Sequence, residues 1–198
     1  MKKHFLLISA IVLSLVLVSC ASSRNAEEEV HLNKVYVTNT TKVPLLPVSA
    51  IKEELDLFQI FEGKFGHKSF PNTMLNLQSD SEGIVILMLN DLGIEIGSIE
   101  YNGKSCVMNS SFFPKNLKAE YIVLDLQNAY ADAEELKAHY KNYNLDFDET
   151  SAMVNGQEAK VRTICKDGNI IEQIVLQNSN VEIKNKLRNY TYNLSFVQ

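Results

Sequence analysis

The feature that most constrains this chain is a rhythm of short apolar or alternating runs separated by turn residues, broken once by a stretch of helical period. Residues 58–65, 73–77, 84–89, 94–101 and 105–109 read as strands. Between the last two stands Asn102-Gly103, a strong hairpin signal because both residues tolerate the positive φ of a type I′ turn. Six consecutive apolar residues, 84–89, suit a strand covered on both faces. The period then changes. Residues 117–131 read as a helix capped by Asn116, with Leu117, Tyr121, Leu124 and Asn128 on one side and Ile122, Leu126 and Ala129 on the neighbouring side. Asp132-Ala133-Glu134-Glu135 resembles a capping box for a second helix ending near Asn142, with Leu136, His139, Tyr140 and Tyr143 as its inner stripe. Strands then resume. Phe147 leads to Met153-Val154 and an Asn155-Gly156 turn, 161–165 pairs with 170–176 across Lys166-Asp167-Gly168-Asn169, 181–183 is short, and 190–196 alternates cleanly. Asp146, Asp148 and Glu149 read as a solvated loop. Connections of hairpin length require a largely antiparallel sheet. About ten strand-like segments against two short helices make the chain mainly β, of the α+β type. Two helices cannot cover both faces of so wide a sheet, so a curled sheet with the helices on its concave side, around a lined hollow, is the expected architecture.

The amino terminus carries a separate message. Lys2 and Lys3 precede an apolar run over 5–18 that is shorter than the roughly 20 residues of a spanning helix. The run ends Leu17-Val18-Ser19-Cys20, which matches a bacterial lipobox at every position. Residues 1–19 are therefore expected to be a cleaved signal peptide, and Cys20 to carry a diacylglycerol on its thiol and an acyl group on its new amino terminus. Two or more acyl chains anchor a protein stably where one does not. Ala21, in place of an aspartate, favours the outer membrane with the domain on the periplasmic face, the alternatives being the outer leaflet of the inner membrane and the cell surface. Residues 20–32 read as a lipidated tether and 33–198 as one domain, opened by an extended arm that contains Val35-Tyr36-Val37, Pro44 and Pro47.

Composition narrows the function classes. The net charge is −5, and the signal segment takes two lysines with it, which argues against nucleic acid as a partner. Cys106 and Cys165 could form a disulfide in an oxidising compartment or remain buried thiols. No CxxC or Cys/His spacing suits a metal, and His4, His31, His67 and His139 are scattered. Ser110-Ser111 lacks a nucleophile-elbow context, and no Gly-rich phosphate loop is present. Asp125, between Leu124 and Leu126, reads as a satisfied helix-face carboxylate. An enzyme is not expected, nor any cofactor beyond the covalent lipid on Cys20.

Three stretches carry a resemblance. Phe112-Phe113-Pro114-Lys115-Asn116-Leu117 running on to Gln127, then Val161-Arg162-Thr163-Ile164 with Asp167-Gly168 and Ile174, and finally Leu187-Arg188-Asn189-Tyr190-Thr191-Tyr192-Asn193-Leu194 resemble an uncharacterised outer-membrane lipoprotein family, over residues 55–198. Its members are often encoded beside aryl-polyene pigment and fatty-acid synthesis genes of Gram-negative bacteria. Tyr130 and Ala131 stand where that family often has a tryptophan, and the chain has none. The resemblance implies kinship with the lipoprotein carrier and receptor proteins, whose fold is an incomplete antiparallel barrel closed by short helices around an apolar hollow that takes acyl chains. Ile84, Ile86, Met88, Met108, Tyr121 and Leu124 are the candidates to line such a hollow, with Leu89 and Met153 as further apolar candidates; each could equally be plain core. The expected function is binding of an acyl chain or lipid-like molecule in envelope lipid, polyene or lipoprotein trafficking. The alternative is a lipid-tethered module that docks an envelope protein partner and has a filled interior.

Overall fold

The computed structural model describes residues 33–70, 72–110 and 117–197. The expected signal segment, Cys20, the tether and the Asn116 cap lie outside the described residues. In chain order the elements are β1 (Lys34–Tyr36), β2 (Lys42–Pro44), a 3-10 turn (Val48–Ala50), β3 (Leu55–Phe65), β4 (Lys68–Ser69), β5 (Thr73–Ser79), β6 (Ile84–Leu89), β7 (Glu95–Tyr101), β8 (Cys106–Ser110), α1 (Ala119–Tyr130), α2 (Ala133–Lys141), β9 (Asp146–Val154), β10 (Gln157–Lys166), β11 (Asn169–Gln177), β12 (Asn180–Asn185) and β13 (Tyr190–Phe196).

One 11-stranded sheet dominates, in the order β8-β7-β6-β5-β3-β13-β12-β11-β10-β9, with β4 paired to β3. Every pairing along it is antiparallel. Its edges, β8 and β9, do not pair with each other, so the sheet is open, and the two helices join those edges along the chain. α1 packs on the edge strand β8 and also on β11 and β12 in the opposite half of the sheet. An element that touches both halves requires the sheet to curl around it. This is the mainly β, incomplete-barrel architecture expected from the sequence.

The pleat assigns the concave face. Leu75, Leu77, Ile84, Ile86, Met88, Ile99 and Tyr101 are buried in one half, and Ile164, Ile174, Ile183, Tyr190, Tyr192 and Leu194 in the other. β6 departs from the two-sided burial expected of its apolar run. Ile84, Ile86 and Met88 are fully buried, whereas Val85, Leu87 and Leu89 are only half-buried. Their outer-face partners are polar: Val85 faces Gln78 and Glu100, and Leu87 faces Asn76 and Ser98. Polar partners stand opposite these three residues, so hydrophobicity alone misreports the second face.

Three further local expectations are corrected. At Asn102-Gly103 only the glycine takes positive φ, and the strands rejoin at Tyr101 and Cys106. The Asn102 side chain accepts hydrogen bonds from the Lys104 and Ser105 amides at 3.0 and 2.8 Å, which favours a wider loop over a two-residue turn. The type I′ geometry appears instead at Asn155-Gly156 and Asp167-Gly168, where both residues of each pair have positive φ. Asp146, Asp148 and Glu149 belong to β9, not to a loop, because β9 forms the sheet edge and shows its polar residues to water. α1 begins at Ala119 behind Lys118, whose side chain makes no capping bond.

The arm is built into the core. β1 and β2 form a small hairpin, and Val35, Val43, Leu45 and Ala50 are at most 2% exposed. With the sheet on one side and the arm on the other, α1 has eight consecutive buried residues, 122–129. α2 follows as the sequence predicts, with Asp132 accepting from the Glu134 and Glu135 amides.

A packed aromatic row crosses the centre of the sheet. Phe61 meets Tyr192 and Phe65 meets Tyr190, at ring-centroid distances of 5.6 and 5.2 Å. Gly63 lies between the two phenylalanines on β3, opposite Tyr192. A methyl group there would meet the Phe61 ring at 2.5 Å and the Phe65 ring at 3.2 Å. Gly63→Ala is therefore expected to destabilise the fold by about 1–3 kcal/mol through overpacking, read as a lower urea midpoint at unchanged slope.

Candidate functional site

Two features of the concave side could carry function: a buried polar network beneath α1 and a cleft at its amino-terminal end. The network exists because α1 puts Asp125, Gln127 and Asn128 into a region without water. Buried polar groups must find partners there, and each does. Gln127 accepts from the Leu46 amide at 2.9 Å and donates to the Leu46 carbonyl at 2.7 Å, fastening the arm as a strand neighbour would. Tyr101 adds its hydroxyl to the same carbonyl at 2.9 Å. Asp125 accepts from Tyr190 at 2.6 Å and from Tyr192 at 3.1 Å. Asn128 donates to Glu172 at 3.0 Å and accepts from Tyr140 at 2.6 Å, and Asn185 donates to the other Glu172 oxygen at 3.0 Å. Arg162 closes the far end. Its Nη1 donates to the carbonyls of Asn128, Ala129 and Ala131 at 2.9, 2.8 and 3.0 Å, and its Nε donates to Glu149 at 2.7 Å. A cation among the last carbonyls of a helix satisfies the free acceptors and opposes the negative end of its dipole.

The Asp125 and Glu172 carboxyls are neighbours in this network, and each bears on the other. Burial raises the Asp125 carboxyl well above the usual carboxylate range, and the neighbouring Glu172 charge adds to it. Burial raises Glu172 too, but bonds from Asn128, Asp125 and Asn185 oppose the rise. Of the two carboxyls, Asp125 is the one pushed further towards its neutral form, because the bonds around Glu172 favour its charge. Burial and then the nearby carboxyls push the Tyr190 and Tyr192 hydroxyls far above their ordinary value, so both remain donors.

The cleft, of about 500 Å³, is lined by Phe65, Lys68, Phe70, Leu117, Tyr121, Arg188 and Tyr190. A smaller one of about 280 Å³, lined by Tyr36, Thr38, Asn39, Tyr121, Leu187 and Arg188, shares two of its walls. The Arg188 guanidinium lies over the Tyr121 ring at 3.9 Å and donates to the Tyr36 carbonyl. Of the residues expected to line a hollow, Tyr121 borders these clefts. Ile84, Ile86, Met88 and Leu124 are at most 5% exposed in the continuous core, where α1 fills the concave face. Met108 packs half-buried against that core from β8, and Leu89 is half-buried on β6. Met153 is 70% exposed on β9. Cys106 and Cys165 are both free thiols, and burial pushes the Cys106 thiol up to about 12.

Lys68, Arg188, Glu172 and the aromatic floor were not singled out by sequence reasoning. Lys68 lies in the two-residue strand β4 and Arg188 in the turn before β13, both in short polar stretches that look like any solvated turn in the sequence. Glu172 and Arg162 did carry a signal: each alternates with isoleucines, Glu172 with Ile174 and Arg162 with Ile164, and so points inward. Among the described residues no cluster of His, Cys, Asp or Glu is arranged to hold a metal, and no helix is long and apolar enough to cross a membrane.

Residues 59–198 match the model of DUF3261, a family described as proteins of unknown function, and the chain belongs to that family. No curated protein matches it in sequence. Among solved structures it is similar to a domain from Vibrio parahaemolyticus assigned to outer-membrane lipoprotein sorting, at 10% identity and a TM-score of 0.31, over 72% of this chain and 82% of that one. It is also similar to a LolA superfamily protein from Nitrosomonas europaea, at 7% identity and a TM-score of 0.32, over 72% and 84% of the two chains.

The carboxyl pair gives stability a defined pH dependence. A carboxyl raised in the folded state holds its proton above pH 3.8, where the unfolded chain has released it. Its contribution is therefore complete below that pH and is lost as pH rises towards the folded value. Asp125→Asn retains an acceptor for the tyrosines and a donor for Glu172, and should flatten the fall in unfolding free energy above pH 4. Asp125→Ala strands two buried hydroxyls and should cost on the order of 3 kcal/mol. Urea melts across a pH series read both; equal pH slopes in the wild-type chain and the Asp125→Asn variant would contradict a raised Asp125 carboxyl.

Proposed function

We propose that this protein is a lipid-anchored envelope protein, tethered through Cys20 to the outer membrane with its domain on the periplasmic face, and that it binds one hydrocarbon chain of a lipid-like molecule without catalysing a reaction on it. The observation that carries this reading is the cleft at the start of α1. It has an aromatic and aliphatic lining, lies within the size range of small-molecule sites, and opens at the rim of a sheet whose centre is packed solid. A molecule that enters need displace only rim residues, because α1 and the arm hold the middle. The lipobox supplies the membrane proximity that such a cargo requires. The same anchor makes trafficking of lipid within the envelope the natural use of the cleft.

Protein docking is the second reading, and it has its own support. Leu92 and Ile94, at the turn between β6 and β7, are 81% and 58% exposed, and Val107 on the edge strand β8 is 58% exposed. An apolar turn beside an unpaired strand edge is a feature that a partner strand could cover.

The two readings separate experimentally. A Cys20→Ala chain examined by native mass spectrometry should carry co-purified lipid, and should bind a fluorescent fatty acid. Tyr121→Ala should weaken that binding about tenfold through lost apolar contact, with an unchanged melting temperature as the control for folding. Protein that is consistently empty and does not bind the probe would remove the lipid reading and leave the docking one.

A further inference from the structure

The charges at the cleft specify a ligand class beyond "hydrocarbon", and the inference rests on the cleft being a binding site. Of the ionisable side chains around the chain's other clefts, most cations are neutralised. In the cleft of about 520 Å³ beside α2, Lys52 sits 2.7 Å from Asp132, Arg162 2.7 Å from Glu149 and Lys160 4.0 Å from Glu149. The apolar cleft differs. Its described lining contains Lys68 and Arg188 and no acidic residue, and neither cation has a carboxylate within 4.0 Å among the described residues. This occurs in a chain with 24 acidic and 19 basic residues. The adjoining smaller cleft, which shares Arg188 and Tyr121, likewise has no acid in its described lining and presents Thr38 and Asn39.

Arg188 is held in place for such a role. Its guanidinium rests on Tyr121, its backbone amide donates to Asn185 at 2.9 Å, and one side-chain nitrogen donates to the Tyr36 carbonyl. A guanidinium has five donor hydrogens in a fixed fork, so most of them remain for a ligand. The buried Glu172 feels the Arg188 charge, but no hydrogen bond joins the two. Lys68 lies over the Phe70 ring at 5.3 Å, at the mouth of the apolar space.

We propose that the paired clefts take a single-chain anionic amphiphile, its carboxylate or phosphate head on Arg188 and Lys68, next to Thr38 and Asn39, and its chain against Phe65, Phe70, Leu117 and Tyr190. Charge-assisted bonds to the guanidinium fix the head, and the ring floor takes the tail. Lauric acid, lauryl phosphate and lauryl alcohol share one tail and differ in the head. The test is displacement of a fluorescent alkyl probe from the Cys20→Ala chain at low ionic strength, by each of the three. At least one of the anions should bind about tenfold more tightly than the alcohol, the tighter of the two identifying the head, and added salt should narrow the gap. Arg188→Gln should erase the difference while the alcohol still binds. If Arg188→Gln fails to fold, Lys68→Gln, at an exposed position, should still reduce the gap. Equal binding of all three amphiphiles, or an anion preference untouched in both variants, would overturn the anionic head and leave the cleft reading intact. Failure of all three to displace the probe would overturn both.

Discussion

α1 is enclosed on every side, and that enclosure sets the conditions for the rest of the structure. Its eight successive buried residues include Asp125, Gln127 and Asn128, so three polar side chains and the last carbonyls of the helix had to be matched inside a water-free space. An unmatched buried group costs roughly 1–3 kcal/mol, a large fraction of the stability of an ordinary domain. The partners come from everywhere: Leu46 on the arm, Tyr190 and Tyr192 on β13, Glu172 on β11, Asn185 on β12, and Arg162 on β10. These bonds select one depth and one rotation of the helix against the sheet, where apolar contacts alone would tolerate several. The polar network therefore specifies the packing more than it adds net stability, since a buried ionic cluster by itself contributes little.

The electrostatic solution is economical in charge. Two carboxyls side by side in a low dielectric resist joint ionisation, and burial together with the Glu172 charge raises Asp125 towards its neutral form. Arg162 needs a countercharge and has Glu149, half-exposed at the β9 edge, together with three carbonyls. The network thus runs from the sealed centre to the solvent edge of β9.

That arrangement divides the concave side into a centre and a rim. The centre holds Ile84, Ile86, Met88 and Leu124 in one continuous core under α1. The rim, where α1 begins behind Lys118 and the closing strand arrives at Tyr190, is left open, with aromatic rings on its floor. Tyr190 belongs to both regions: its ring lines the cleft and its hydroxyl binds Asp125. A molecule in the cleft would press on the same ring that anchors the helix. The single-chain anionic amphiphile proposed for that cleft is a ligand of the rim, held outside the packed centre.

The sequence by itself determined the order and antiparallel sense of the main elements, while its roughly ten strand-like segments became thirteen strands because pairings as short as β2 and β4 carry no period of their own. Strand period, hairpin residues and helix period are local properties, and Asp167-Gly168, Asn155-Gly156 and the Asp132 cap act within a few residues of themselves. It also determined which way most strands face, because alternation is read along a single strand. Where local signals were ambiguous the tertiary structure decided. The apolar run 84–89 could not report that its second face meets polar neighbours on β5 and β7 and is only half-buried. Asp146, Asp148 and Glu149 could not report that they pair in register with β10. Asp125 read correctly as satisfied, but its partners lie between 47 and 67 residues away, at Glu172, Tyr190 and Tyr192, and no local pattern names them. The cleft was the least legible feature. It forms where β3, the segment around β4, the start of α1 and the turn before β13 converge, and its two cations acquire meaning only from the carboxylates that the fold keeps away from them.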